Sequence, residues 1–196
     1  MEIIAHRINT IEQLEKTSLH CGVEVDLRSC GNDIILHHDP FCEGESFKKW
    51  ISHYRHGTLI LNVKEEGLEE RLIGIMKEYN IKNYFFLDLS FPYLVKTMKK
   101  GCRNIAVRFS EYESIETVLA LKGFVDWVWI DIFTQCPLTR ANYQRLKESN
   151  FKLCLVSPEL VSGNPADIEP LKDFLKGHSF QVDAVCTKYP QRWKEE

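Results

Sequence analysis

Nine short apolar runs, seven amphipathic stretches between them and one Gly/Asn/Asp-rich turn predict an α/β chain, a compact (β/α)₈ TIM barrel with a β-hairpin after its second strand. The first apolar run, residues 3–5, leads into a helix candidate at 10–19. The second, 23–27, is followed by no helix but by Ser29-Cys30-Gly31-Asn32-Asp33 and a further run at 34–36, which reads as a hairpin. From there strand and helix candidates alternate to the end of the chain. A helix at 47–54 precedes a strand at 59–63, one at 68–79 precedes 84–87, and one at 93–99 precedes 105–109. The rest is a helix at 114–121, a strand at 127–132, a helix at 139–149, strand 153–156, helix 168–176 and strand 184–186. Setting the hairpin arm aside leaves eight strands, the number that closes such a barrel. Barrels of this kind typically take about 250 residues, so a 196-residue version needs short loops. An open doubly wound sheet is the alternative, but no glycine-rich turn follows the first strand to hold a dinucleotide pyrophosphate.

Composition fits one soluble domain spanning residues 1–196. Hydrophobic residues make up 44% and charged residues 27%, which excludes disordered and fibrous classes. A net charge of −3 gives no electrostatic footprint for nucleic acid, and no stretch approaches the ~20 apolar residues of a membrane span. Strand-like sequence begins at Glu2 without the basic and apolar regions of a signal peptide, so a cytoplasmic location is expected. The seven cysteines are scattered and form no CxxC pair, against both a disulfide framework and a zinc ribbon. Cys42 beside His37 and His38 is read as a small buried hydrophobe and not as a zinc ligand.

Barrel chemistry is carried where strands end, and there a consistent polar set stands. It comprises His6-Arg7, Glu24-x-Asp26-x-Arg28, His37-His38-Asp39, Asn62-x-Lys64, Asp88, Arg108, Asp131 and Lys188. Residues two apart on a strand share a face, so Glu24, Asp26 and Arg28 point together. Two unpaired buried carboxylates cost several kcal/mol each, so the pair predicts a cation, and oxygen ligands favour Mg²⁺ or Ca²⁺ over zinc. His6 and His38 suit general acid and base roles; His37 alternates to the other face of a regular strand. Arg7 and Lys64 are placed to neutralise phosphoryl oxygens. Arg108 and Lys188 either pair with Asp88 and Asp131 or, unpaired, grip a second anionic group of a substrate; Arg28, Arg108, Asp131 and Lys188 form the candidate substrate-binding set.

Ile3-Ile4-Ala5-His6-Arg7, Asn9-Thr10, Glu24-x-Asp26, His38-Asp39-Pro40, the strand ending in Lys64 and the closing Asp183-Ala184-Val185-Cys186-Thr187-x-Tyr189-Pro190 together resemble the glycerophosphodiester phosphodiesterase family, within the phospholipase-C-like phosphodiesterases. The resemblance implies a (β/α)₈ barrel, His6 and His38 as acid and base, Glu24 and Asp26 on a divalent cation, and Arg7 and Lys64 on phosphate. The chain departs from that pattern in three places. Ile8 replaces the usual glycine and the first loop is shortened; Asn62 stands where the family has a third metal carboxylate; and the insertion after His-Asp is reduced to residues 41–58. Asn62 can still ligate through its amide oxygen, with one negative charge fewer. The expected activity is metal-dependent hydrolysis of a small soluble glycerophosphodiester-like substrate. A lyase that releases a cyclic phosphate and a non-catalytic phosphoester-binding barrel are the alternatives, the second motivated by Asn62.

Overall fold

The computed structural model describes residues 1–194, which form two compact units, Ala5–Cys102 and a second made of Met1–Ile4 with the chain from Arg103 onward. In chain order the elements are β1 (Glu2–Ala5), α1 (Ile11–Lys16), β2 (Gly22–Cys30), β3 (Asp33–Leu36), β4 (Glu45–Ser46), α2 (Phe47–Ser52), β5 (Leu59–Val63), α3 (Glu69–Glu78), β6 (Tyr84–Leu87) and α4 (Phe91–Lys99). They continue as β7 (Ala106–Phe109), α5 (Ile115–Ala120), β8 (Trp127–Ile130), α6 (Arg140–Glu148), β9 (Lys152–Val156), α7 (Glu159–Ser162), α8 (Ile168–His178) and β10 (Ala184–Thr187).

In the Ala5–Cys102 unit the strands run β4-β3-β2-β5-β6, a mixed sheet. β2, β5 and β6 are parallel, while β2 and β3 form the expected antiparallel hairpin. The hairpin is tighter than its sequence suggested. Pairing runs through Cys30 and Asp33, leaving only Gly31-Asn32 as the turn, with Gly31 at φ 59°. β2 therefore outlasts its apolar run by three residues, because ladder hydrogen bonds need only backbone and the extra side chains are half-buried or exposed. Capping explains the helix starts. Thr10 and Gln13 form a reciprocal capping box on α1, and Pro92 enters α4 at its first turn, where a missing N–H costs nothing. Phe47 and Trp50 of α2 are fully buried and stacked at 6.1 Å, and Phe85 and Phe86 of β6 are buried likewise.

The other unit orders its strands β1-β10-β9-β8-β7, with β7 to β10 parallel. Their apolar runs are buried almost throughout, as expected for strands covered on both faces. Ser114 and Thr139 cap α5 and α6 through their hydroxyls. α7 and the 3₁₀ turns Pro165–Asp167 and Pro190–Trp193 had no sequence signature, since three or four residues are too few to show a helical period. No helix among the described residues is long and apolar enough to cross a membrane. The cysteines form no disulfide among the described residues; Cys42, expected to be buried, is exposed because it lies on the loop after β3 and not in a strand.

That loop carries His38 and is fixed by close packing. A Cβ added to Gly44 would collide with the Leu36 carbonyl oxygen, so the Gly44→Ala variant is expected to lose about 1–3 kcal/mol in urea unfolding. An unchanged midpoint would show that the loop yields freely.

Candidate functional site

The parallel register of β2 and β5 builds the site. It sets Asp26 level with Asn62, and Glu24 lies on the same face two residues earlier. Glu24 and Asp26 are both 0% exposed. The two buried carboxylates are compensated by their neighbours in distinct ways.

Glu24 Oε1 accepts from the Asn62 Nδ2 amide at 2.8 Å, and Glu24 Oε2 accepts from the Arg7 backbone N–H at 2.7 Å. His6 Nε2 lies 3.8 Å from the same Oε2. Burial, and then the neighbouring Asp26 charge, push the Glu24 carboxyl up to about 7, against the lowering effect of Asn62, Arg7 and Lys64. Arg7 reaches Glu24 by taking a left-handed backbone, φ 55°, a conformation that costs about 1–2 kcal/mol for a residue with a Cβ. Ile8 N–H then bonds to the Glu24 carbonyl at 2.9 Å. The shortened first loop thus folds directly back onto β2.

Asp26 is held from three sides. Asn9 clamps it twice, its Nδ2 donating to Asp26 Oδ2 and its Oδ1 accepting the Asp26 backbone N–H, both at 2.9 Å. Arg7 Nε is 3.6 Å from Oδ2, and Lys64 Nζ is 3.3 Å from Oδ1. Lys64 also donates to Asp88 Oδ2 at 3.0 Å. Asp88 closes β6 at φ 62°, a left-handed position that a short polar side chain tolerates. Asp26 Oδ1 and Asn62 Oδ1 are buried and accept no hydrogen bond from the described residues. Two such oxygens beside the Glu24 carboxylate fit a hard divalent cation by donor type.

His38 lies beyond the end of β3, so strand alternation does not govern it or His37. Its Nδ1 is 2.8 Å from Asp39 Oδ1, and this hydrogen bond holds the Asp39 carboxyl below its ordinary value. His37 turns inward on its own loop, with Nδ1 3.0 Å from the Asp39 backbone N–H. Arg28 directs Nε and Nη2 to the His38 carbonyl at 3.0 and 2.9 Å, and Nη1 to the Lys64 carbonyl at 3.3 Å. Arg28 therefore ties the His38 loop to the end of β5.

Arg108, Asp131 and Lys188 belong to the other unit. Arg108 is paired with Asp131, whose second oxygen accepts from Trp129 Nε1 at 3.2 Å; of the two sequence-level possibilities for Arg108, the structure holds the ion pair. Lys188 has an exposed side chain, and its backbone N–H donates to Glu159 Oε1 at 3.0 Å. Sequence reasoning missed Asn9 as the Asp26 clamp and Glu159 as a buried acceptor for Ser157, Thr187 and Lys188. Asn9 stood in a motif but offered no periodicity or charge to mark its partner, and Glu159 lay in a segment read as loop.

No protein-family model matches the chain, and no curated protein matches it by sequence. Solved structures do match in fold. A protein described as a glycerophosphoryl diester phosphodiesterase from Agrobacterium tumefaciens has a TM-score of 0.72 at 13% identity, over 97% of this chain and 94% of its own. A glycerophosphodiester phosphodiesterase from the same organism gives 0.71 at 11% identity, over 96% of each chain. A glycerophosphoryl diester phosphodiesterase from Parabacteroides distasonis gives 0.56 at 12% identity, over 96% of this chain and 83% of its own. The chain thus shares the fold of these proteins along nearly its whole length, in agreement with the motif resemblance.

Proposed function

We propose that the chain is a divergent metal-dependent phosphodiesterase, one closed (β/α)₈ barrel over residues 1–196, acting on a small glycerophosphodiester-like substrate. The observation that carries this reading is the cluster of His6, Arg7, Glu24, Asp26, Asn62 and Lys64 in a chain with a phosphodiesterase fold. Glu24, Asp26 and Asn62 would hold Mg²⁺ or Ca²⁺, which when bound supplies Lewis-acid polarisation of a phosphoryl oxygen. His6 takes or returns a proton beside Glu24. His38, oriented by Asp39, serves the opposite side of the diester, so that one histidine deprotonates the attacking oxygen and the other protonates the leaving alcohol. Arg7 and Lys64 offset charge on the equatorial oxygens, moving from their present carboxylate partners toward phosphate. Hydrolysis of an aryl phosphodiester, stimulated by Mg²⁺, Ca²⁺ or Mn²⁺ and abolished by EDTA, is the expected result; no turnover under any of these conditions overturns it. Phosphorus NMR of the product separates the hydrolase from the cyclising lyase.

A second reading rests on the Asn62 amide, which donates to Glu24 where a carboxylate would repel it, and on the Lys64–Asp26 pair. Such internal compensation suits a non-catalytic phosphoester binder. The aryl-diester assay separates this reading from the first, and Asn62→Glu tests the ligand position: it restores a charged oxygen ligand and is expected to tighten Ca²⁺ or Mg²⁺ binding about tenfold or more by calorimetry. Unchanged affinity would place Asn62 outside the metal shell.

A further inference from the structure

Lys64 stands between two carboxylates of different kinds. Its Nζ lies 3.3 Å from Asp26 Oδ1 and 3.0 Å from Asp88 Oδ2, and its side chain is only 15% exposed. Asp26 Oδ2 accepts from Asn9 Nδ2 at 2.9 Å and lies 3.6 Å from Arg7 Nε, whereas Oδ1 accepts no hydrogen bond from the described residues. Oδ1 is therefore the oxygen with most to offer a divalent cation, and it is the one Lys64 faces. An ammonium and a divalent cation at one oxygen repel at contact distance, so they do not share it. Lys64 has to give way for the carboxylates to take a metal.

The surroundings of Lys64 supply somewhere to go. Where β5 and β6 end lies a cleft of about 280 Å³ whose lining includes Lys64, Glu66, Glu69, Asp88 and Ser90. Glu66 accepts from the Ser90 hydroxyl. Glu69 is only 4% exposed; its Oε2 takes the Gly67 N–H at 3.1 Å, while its Oε1 is buried and accepts no hydrogen bond from the described residues. A buried carboxylate oxygen without a donor is costly, and an ammonium has three N–H groups to give. Asp88 is fixed at the same cleft by a left-handed backbone, φ 62°, directly after β6. Lysine suits such a movement, because its charge sits on a flexible four-carbon stem with freely rotating donors.

We infer that Lys64 is a two-position residue, paired with Asp26 as described above and withdrawn into the cleft, onto Asp88 and Glu69, once a divalent cation takes Asp26 Oδ1. Asp88 and Glu69 are then positioning residues that act on metal affinity through Lys64. The inference rests on the metal site of the phosphodiesterase reading and not on hydrolysis. Calorimetric titration with Ca²⁺ tests it as a double-mutant cycle. Lys64→Met should bind Ca²⁺ about tenfold more tightly than wild type. Asp88→Asn, whose amide tolerates the left-handed backbone, and Glu69→Gln, which keeps the Gly67 bond, should each bind it about tenfold more weakly. Placed on Lys64→Met, either change should alter affinity by no more than about twofold, because the side chain that needs the acceptor is gone. A mere loss of negative charge near the site would instead weaken binding equally in both backgrounds. That equal loss, or unchanged affinity in either single variant beside intact wild-type binding, overturns the inference alone. No Ca²⁺ binding by wild type or by Lys64→Met overturns the metal site and the inference with it. Ca²⁺ binding that follows the cycle, with no hydrolysis of any diester, supports the inference and overturns the phosphodiesterase reading.

Discussion

Replacing His6 or His38 by alanine is expected to lower diester turnover by about 10²–10⁴-fold while leaving divalent-cation affinity unchanged. The two losses should differ in origin. His6 stands 3.8 Å from Glu24 Oε2, so its replacement also takes a neighbour away from the buried carboxylate and should alter the pH profile of the residual activity. His38 is oriented by Asp39 on the surface, at 2.8 Å, so Asp39→Asn should reproduce part of the His38→Ala loss without a change in KM. Arg28→Ala should act on the same histidine indirectly, because it frees the His38 carbonyl that the guanidinium holds. Steady-state kinetics on an aryl diester with saturating metal is the measurement. Turnover within threefold of wild type in either alanine variant would return that histidine to a structural role.

Glu24→Gln is expected to abolish metal-stimulated turnover and, in EDTA, to stabilise the fold at alkaline pH. The sign follows from where the carboxyl titrates. Its folded-state value, about 7, lies above the ordinary 4.5, so the folded protein holds this proton more tightly than the unfolded chain. The associated stability is complete below 4.5 and is lost as pH rises through about 7. A neutral glutamine removes that dependence and should gain on the order of 3 kcal/mol over wild type at pH 8, and nothing at pH 4. Hydrogen bonding permits the exchange. The amide oxygen of the introduced glutamine can take the Arg7 N–H, while Asn62 turns its own amide and accepts from the new side-chain N–H through Oδ1, an oxygen that now accepts no hydrogen bond from the described residues. Urea unfolding at pH 4 and pH 8 measures the effect. A variant less stable than wild type at pH 8 would show that Glu24 is an ion-pair residue of the fold.

The sequence by itself determined the alternation of strands and helices, the hairpin after residue 27, and the shared face of Glu24 and Asp26. All of these follow from local rules, a period of 2 along a strand and a turn-forming Gly-Asn pair. Every apolar run proposed as a strand is one, with ends moved by at most a few residues where pairing or capping overrode hydrophobicity. The motif residues His6, Arg7, Asn62 and Lys64 were likewise visible as polar groups at strand ends. Their partners were decided only by tertiary structure, because a partner depends on register and on loop course, and neither is written in any one segment. Nothing in residues 59–64 reveals that Asn62 stands level with Asp26, or that Lys64 bridges Asp26 and Asp88. The clamp of Asn9 on Asp26 needs a loop that folds back through a left-handed arginine, a conformation no propensity would assign. Glu159 lay in a segment read as loop; it became a buried acceptor only because Ser157, Thr187 and Lys188 come together around it, and that is a property of the assembled sheet.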